Sequence, residues 1–225
     1  MPSVLITGVA RGIGFELARV ALDDGFKVYG SVRSASDADY LATEFGSQFV
    51  PLIFDVTDQD AVLTASMQIS ELDIIINNAG IIGLEDTDTV SASTDEFLRV
   101  FNINSVAPLN ISTTFLPALR KVEGGRIISI SSQMSWMGYG KSDRIAYRAS
   151  KVALNKIMQG LATDLADEGI SVCVVDPGWV RTDMGGAEAD IDPHDVSVGI
   201  WNIAKNLTMS QSGKFIHWNG DEREY

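Results

Sequence analysis

Tyr147 and Lys151 stand four residues apart in the stretch Tyr147-Arg148-Ala149-Ser150-Lys151, a spacing that on a helix stacks a phenol and an ammonium on one face. Such a pair can move protons. A free tyrosine titrates near ~10, so it exchanges a proton at neutral pH only when a neighbouring cation stabilises the phenolate. Lys151 is placed to be that cation. Y-x-x-x-K also arises freely on exposed helix faces, so the pair needs support from elsewhere in the chain.

Support comes from the amino-terminal end. Val4-Leu5-Ile6 leads into Thr7-Gly8-Val9-Ala10-Arg11-Gly12-Ile13-Gly14, and a helical pattern runs from Phe15 to Leu22. The order is strand, glycine turn, helix. Glycines at such a turn remove the Cβ atoms that would hold a pyrophosphate away from the backbone N–H groups at the positive end of the helix. The spacing is G-x-x-x-G-x-G rather than the G-x-G-x-x-G of the common dinucleotide motif, and a plain glycine-rich turn is the other reading of this segment taken alone.

The elements that must position these groups follow from hydropathy. Val4–Ile6, Lys27–Ser31, Phe49–Phe54, Asp73–Ile76, Arg126–Ile130, Val172–Val175 and Phe215–His217 are strand candidates, separated by helical patterns. Alternation of this kind predicts a parallel sheet covered by helices. The runs are almost continuously apolar, as strands buried on both faces must be, and right-handed crossovers restrict the topology to a doubly wound α/β arrangement. No repeat, low-complexity tract or linker interrupts the 225 residues, so residues 1–225 are expected to form a single domain.

Bulk properties exclude several functions. A net charge of −13 opposes general affinity for nucleic acid or anionic lipid. No apolar run approaches the ~20 residues that span a bilayer, and no secretion signal is expected. Cys173 is the one cysteine; in Val172-Cys173-Val174-Val175 it reads as a buried, inert thiol, and a cytoplasmic, reducing setting is expected. His194 and His217 lack metal-ligand spacing.

Further motifs recur in a fixed order: Asp55 and Val56 after Ile53-Phe54, Asn77-Asn78-Ala79-Gly80 after Leu72–Ile76, and Asn104 in Asn104-Ser105-Val106-Ala107. Ser131-Ser132 follows Arg126–Ile130, and Asp176-Pro177-Gly178-Trp179-Val180-Arg181-Thr182 follows Val172–Val175. With the glycine turn and Tyr147-x-x-x-Lys151, these motifs resemble the short-chain dehydrogenase/reductase family over nearly the whole chain. They are most similar to its carbonyl reductase branch, which includes the sniffer and C-factor proteins. The resemblance implies a Rossmann-type, seven-stranded parallel sheet in the order 3-2-1-4-5-6-7, with Asn78, Ser132 and Pro177 at strand ends beside a cofactor crevice.

It also implies a catalytic set. Tyr147 would be the general acid in carbonyl reduction, Lys151 its electrostatic partner and a ligand of the nicotinamide ribose, Ser132 the donor to the substrate oxygen, and Asn104 the holder of a water linking Lys151 to solvent. Ser131 and Ser135 compete with Ser132, and Asn102 with Asn104. Ser132 is preferred as the second serine of an Ile-Ser-Ser unit, although the stretch to Tyr147, with Lys141-Ser142-Asp143-Arg144, is slightly longer than in most members. The implied cofactor ligands are Thr7, Gly8, Arg11, Gly12, Ile13, Gly14, Arg33, Asp55, Val56, Asn78, Ala79, Gly80, Tyr147, Lys151, Pro177, Gly178, Val180 and Thr182.

Cofactor choice turns on the end of the second strand, where an aspartate would bind a ribose 2′-hydroxyl and a cation would accommodate a 2′-phosphate. Val32 occupies the family's aspartate position and Arg33 follows, with Arg11 in the glycine turn as a second cation. NADP(H) is therefore expected over NAD(H), with a small carbonyl or alcohol substrate and a homodimer or homotetramer. Trp136, Tyr139 and Trp179 are candidates for an apolar pocket wall, and Asp183–Asp195 for a short lid or a simple surface loop. Two other functions compete: a C-factor-type signalling protein that binds cofactor with little turnover, and an epimerase or dehydratase, which normally needs a longer carboxyl-terminal region.

Overall fold

The apolar runs become strands whose successive side chains enter different layers, because side-chain direction alternates along a strand. In β1 (Ser3–Ile6), Val4 and Ile6 join one core while Leu5 joins the other. β4 (Ile74–Asn77) repeats this, with Ile74 and Ile76 on one side and Ile75 on the other. Both faces are dry, so an apolar residue is required at every position rather than every second one.

The computed structural model describes residues 1–84 and 88–225. One sheet takes the order β3 (Phe49–Ile53), β2 (Lys27–Val32), β1, β4, β5 (Arg126–Ile130), β6 (Ser171–Asp176), β7 (Phe215–His217), β8 (Glu222–Arg223). Neighbours through β7 are parallel, in the expected 3-2-1-4-5-6-7 order. The expected strand number is corrected from seven to eight, because β8 pairs antiparallel with β7, Phe215 opposite Arg223 and Ile216 opposite Glu222. Two charged residues carry no hydrophobic periodicity, so this strand leaves no trace in the pattern.

On one face lie α1 (Gly12–Asp23), α2 (Ala35–Phe45) and α7 (Pro193–Asn206), which contribute Leu17, Leu41, Ile200 and Trp201 to the first core. On the other lie α3 (Gln59–Ser66), α5 (Ala107–Leu119) and α6 (Ile145–Asp164), contributing Val62, Phe115, Leu154 and Met158 to the second. The architecture is a Rossmann-type α/β fold, helices on both faces of a mostly parallel sheet. Ser34, Asp58 and Asp192 cap α2, α3 and α7 by accepting from first-turn N–H groups, which satisfies donors the helix itself leaves unpaired. α4 (Thr94–Phe101) runs into α5 through a π turn at Asn102–Val106. Ala107 N returns to the Asn102 carbonyl, the i→i+5 bond of a π turn, and Pro108 then follows with no N–H to give to the Asn104 carbonyl.

Close packing of β2 depends on Gly30. A Cβ there would sit 2.5 Å from the Phe49 ring and 2.7 Å from Val9 Cγ2. Gly30→Ala is expected to lower unfolding free energy by about 1–3 kcal/mol through overpacking, read by chemical denaturation with an unchanged m-value.

Candidate active site

α6 opens with Tyr147 in its first turn, and Tyr147 and Lys151 are both buried on the helix face turned to the sheet. Arg144, just before the helix, takes a left-handed backbone at φ 51°. This conformation is costly for a side chain with a Cβ. Arg148 steadies the approach by donating to the Asp143 carbonyl at 2.8 Å and its carboxylate at 2.9 Å. The Lys141–Arg144 segment thus reaches the helix as a clamped turn.

Burial decides the protonation of the pair. It pushes the Tyr147 phenol up to about 12; a hydrogen bond with Ser132 pulls the other way, the Asp176 charge raises it and the Arg144 charge lowers it. The Lys151 ammonium is pushed down to about 8 by burial. Its Nζ lies 5.7 Å from the Tyr147 ring centroid and donates to the Ile130 carbonyl at 2.7 Å. Desolvation is the largest influence on the phenol, which is in its acid form at neutral pH.

Three serines competed for one position, and their partners separate them. Ser131 Oγ donates to Asn155 Oδ1 at 2.5 Å. Ser135 Oγ donates to the Ser132 carbonyl at 2.7 Å and accepts from Asn155 Nδ2 at 2.9 Å. Both are fully committed inside the protein. Ser132, at the end of β5, accepts from Met134 N at 3.1 Å and bonds the phenol of Tyr147, so it alone of the three meets the tyrosine.

Asn104 lies in the π turn, completely buried. Its Oδ1 accepts from Ile81 N at 2.9 Å, and its Nδ2 donates to the Ile81 carbonyl at 2.8 Å and to Ser150 Oγ at 3.0 Å. The side-chain amide is therefore taken up in fixing the chain after β4. Ser150 in turn donates to the Tyr147 carbonyl at 2.7 Å, tying Asn104 to α6. Gly80 lies between the groups: a Cβ on it would come 3.2 Å from Asn104 Oδ1 and 3.6 Å from Lys151 Nζ.

The glycine turn is latched from β4. Thr7 Oγ1 accepts from Asn78 N at 3.0 Å and Ala79 N at 3.1 Å, while Asn78 Nδ2 donates to the Thr7 and Gly8 carbonyls at 2.9 and 3.1 Å. Gly8 and Gly12 have φ of 73° and 59°, and a Cβ on Gly14 would come 2.2 Å from the Gly8 carbonyl oxygen. Glycine is required at all three. Thr182 flanks the turn, its methyl 3.2 Å from where a Gly12 Cβ would be. Pro177 and Gly178 close β6, Val180 bridges to Ile191, and Val56 follows Asp55 beyond β3. No side chain caps α1, and its first turn holds no acid, so the N–H groups at Gly12, Ile13 and Gly14 suit a phosphate. The residues present fit a dinucleotide.

Arg33 is exposed just past β2 and its charge lowers Asp55, whose carboxyl is held down first by the Thr57 hydroxyl and then by the Thr57 N–H, against burial. Arg11 makes a 3.3 Å ion pair with Asp183, both side chains about three-quarters exposed. Such a pair contributes little. The Asp183–Asp195 segment is pinned rather than loose: Arg181 N donates to the Ile191 carbonyl at 2.9 Å, Trp179 Nε1 to the Gly185 carbonyl at 2.8 Å, and α7 already begins at Pro193. Burial raises the Cys173 thiol to about 12.

The profile of the short chain dehydrogenase family matches residues 2–191. The chain belongs to the short-chain dehydrogenase family. Similar to it is the C-signal protein of Myxococcus xanthus, 35% identical over 156 residues, 67% of this chain and 91% of that protein. The carbonyl reductase Sniffer of D. melanogaster superposes with a TM-score of 0.93 at 28% identity, covering 100% of both chains. The NADPH-bound carbonyl reductase from chicken fatty liver gives 0.89 at 30% identity, over 100% of this chain and 99% of that one. As a short-chain dehydrogenase, this chain is an oxidoreductase by family. No helix among the described residues is long and apolar enough to cross a membrane.

Two members of the site escaped the motif reading. Asn155 joins Tyr147 and Lys151 at four-residue intervals on α6, a periodicity that would have found it. Asp176 was visible only as the residue before Pro177; the structure buries it completely.

The depressed lysine has a measurable consequence. Lys151 titrates near about 8 folded against 10.5 unfolded, so between those values the unfolded chain binds more protons and folding gains stability as pH rises. Lys151→Met is therefore expected to be more stable than the native chain at pH 7, on the order of 1–2 kcal/mol after the lost bond to Ile130 is counted. Denaturation curves should show that gap closing toward pH 10.

Proposed function

We propose that this short-chain dehydrogenase is an NADPH-dependent carbonyl reductase in which residues 1–225 act as one cofactor-binding unit. The observation that carries this reading is the hydrogen-bonded Ser132–Tyr147 pair, one helical turn from Lys151, at the carboxyl edge of the sheet beside an uncapped α1. When bound, the dihydronicotinamide supplies the hydride that reduces a ketone or aldehyde carbon. Tyr147 gives its phenolic proton to the carbonyl oxygen. Ser132 donates a hydrogen bond to that same oxygen as its negative charge grows, a contribution that matters most in a dry site. Lys151, still largely protonated at neutral pH, offsets the charge left on the phenolate and has donors to spare for ribose hydroxyls. A phenol held near about 12 is in the acid form, which suits reduction at neutral pH and confines alcohol oxidation to alkaline conditions.

Asn104 in this reading holds Ile81 and, through Ser150, the first turn of α6, so that Tyr147 and Lys151 keep their places. Thr7, Asn78 and Ala79 shape the phosphate turn, Gly8, Gly12, Ile13 and Gly14 present it, and Gly80, Pro177, Gly178, Val180 and Thr182 border the nicotinamide side. Asp55 and Val56 flank the adenine. Arg33, with Arg11 released from its weak surface pair, holds the 2′-phosphate. A homodimer or homotetramer in a reducing cytoplasm completes the proposal, in keeping with the buried Cys173.

A signalling role is the second reading, favoured by the likeness to C-signal. It gives no reason for a buried phenol, hydroxyl and ammonium to be assembled together.

NADPH oxidation against a panel of aldehydes, ketones and quinones tests the activity, and absence of turnover across the panel would favour the signalling reading. Tyr147→Phe is expected to lose on the order of 10²-fold or more in kcat with cofactor binding retained. Ser132→Ala should lose turnover while Ser135→Ala keeps it; the reverse would make Ser135 the donor.

Cofactor preference is read from kcat/KM with NADPH and NADH. Arg33→Ala should shift the ratio by roughly ten- to a hundredfold, the worth of one charge-assisted hydrogen bond. An unchanged ratio would leave Arg33 facing solvent.

A further inference from the structure

Asp176 ends β6 with no solvent exposure. Its Oδ1 accepts from Gln133 N at 2.9 Å and Gly178 N at 3.0 Å. One carboxylate thereby fastens the turn that follows Ser132 to the turn that follows Pro177. Its Oδ2 faces Arg223 Nε at 2.7 Å; the N–H is not aimed along that line, so the contact is a Coulombic pair and not a hydrogen bond. Arg223 arrives there because the chain turns back after β7, where His217 lies opposite Asp176, and runs antiparallel as β8.

The charged and polar groups around Tyr147 are then Ser132 after β5, Asp176 from β6, and Arg144 and Lys151 from its own helix, with the neutral Asn104 amide behind Ser150. Around Asp176 they are Arg223 from β8 and His217 from β7, besides the two backbone donors. Of these, Arg223 is the group that pairs with the carboxylate. Asp176 is fully buried whereas the Arg223 side chain is 36% exposed, so removing the arginine leaves a buried carboxylate without its counter-charge.

We propose that Arg223 is a positioning residue for the proton donor: from the last strand it offsets the charge of Asp176, so that this carboxylate can fasten both crevice turns without setting an uncompensated negative charge against Tyr147. The inference rests on Tyr147 being the proton donor. A stranded carboxylate makes the phenolate harder to form. Alcohol oxidation, which needs the phenolate, would then require higher pH.

The test uses the full chain as Arg223→Gln, Arg223→Lys, and Arg223→Gln combined with Asp176→Asn. Two readouts are taken: phenolate absorbance between pH 9 and 11, as the difference from Tyr147→Phe and without substrate, and the pH profile of alcohol oxidation. Arg223→Gln is expected to cut the phenolate fraction at fixed pH by about three- to tenfold and move the oxidation limb up by about 0.5–1 unit. Arg223→Lys should restore most of both, and the double variant should return near the native curve. An unmoved titration in Arg223→Gln, a shift that persists in the double variant, or turnover lost equally at every pH would each overturn the proposal. A native chain without turnover but with the titration pattern intact would support the coupling and remove the carbonyl reductase reading instead.

Discussion

Desolvation of one face of α6 is the constraint on which the rest of the site depends. Burial acts on Tyr147 and Lys151 together and moves both titrations: the phenol becomes a weaker acid and the ammonium a stronger one. Water cannot serve groups held this deep. Hydrogen-bonding partners must come from the protein, and the polar side chains nearby are committed accordingly.

That commitment forms a continuous structure. Asn155, one turn beyond Lys151, binds both Ser131 and Ser135 and so fixes the segment that presents Ser132. Ser150 joins the Tyr147 carbonyl to Asn104, which grips Ile81, and Ser105 Oγ donates to the Ser150 carbonyl at 2.7 Å. The π turn that carries Asn104 leads directly into Pro108. A site that looks like four separated residues in the chain is held by a second set of side chains that never meet a substrate, which is how a dry site keeps its geometry.

Much of this was legible in the sequence because the relevant signals are local. Seven strands, the glycine turn and the Tyr147–Lys151 stripe rest on period, composition or fixed spacing, and the strand order is what the family resemblance implies. What was hidden is non-local. Ser132 is preferred over Ser131 and Ser135 on the family motif alone, and the physical reason, Asn155 occupying the other two, is non-local. That the Asn104 amide grips Ile81, 23 residues away in the chain, leaves no signal in the sequence. The phenol's shift upward depends on how completely the fold excludes water, which no motif encodes. Arg11 reaching Asp183 joins residues from opposite ends of the chain, and β8 is too short and too charged to register as a strand.

That last strand has a consequence for how the molecule meets its neighbours. A short strand such as β7, Phe215-Ile216-His217, would, at the rim of a sheet, offer an open row of N–H and C=O groups to any other extended chain. Glu222 and Arg223 cover that row with a charged strip only two residues long. At the opposite rim, β3 carries Pro51, which lacks the donor that continued strand pairing would need. Both margins of the sheet are thus poor templates for growth by strand addition, which protects the chain against edge-to-edge aggregation.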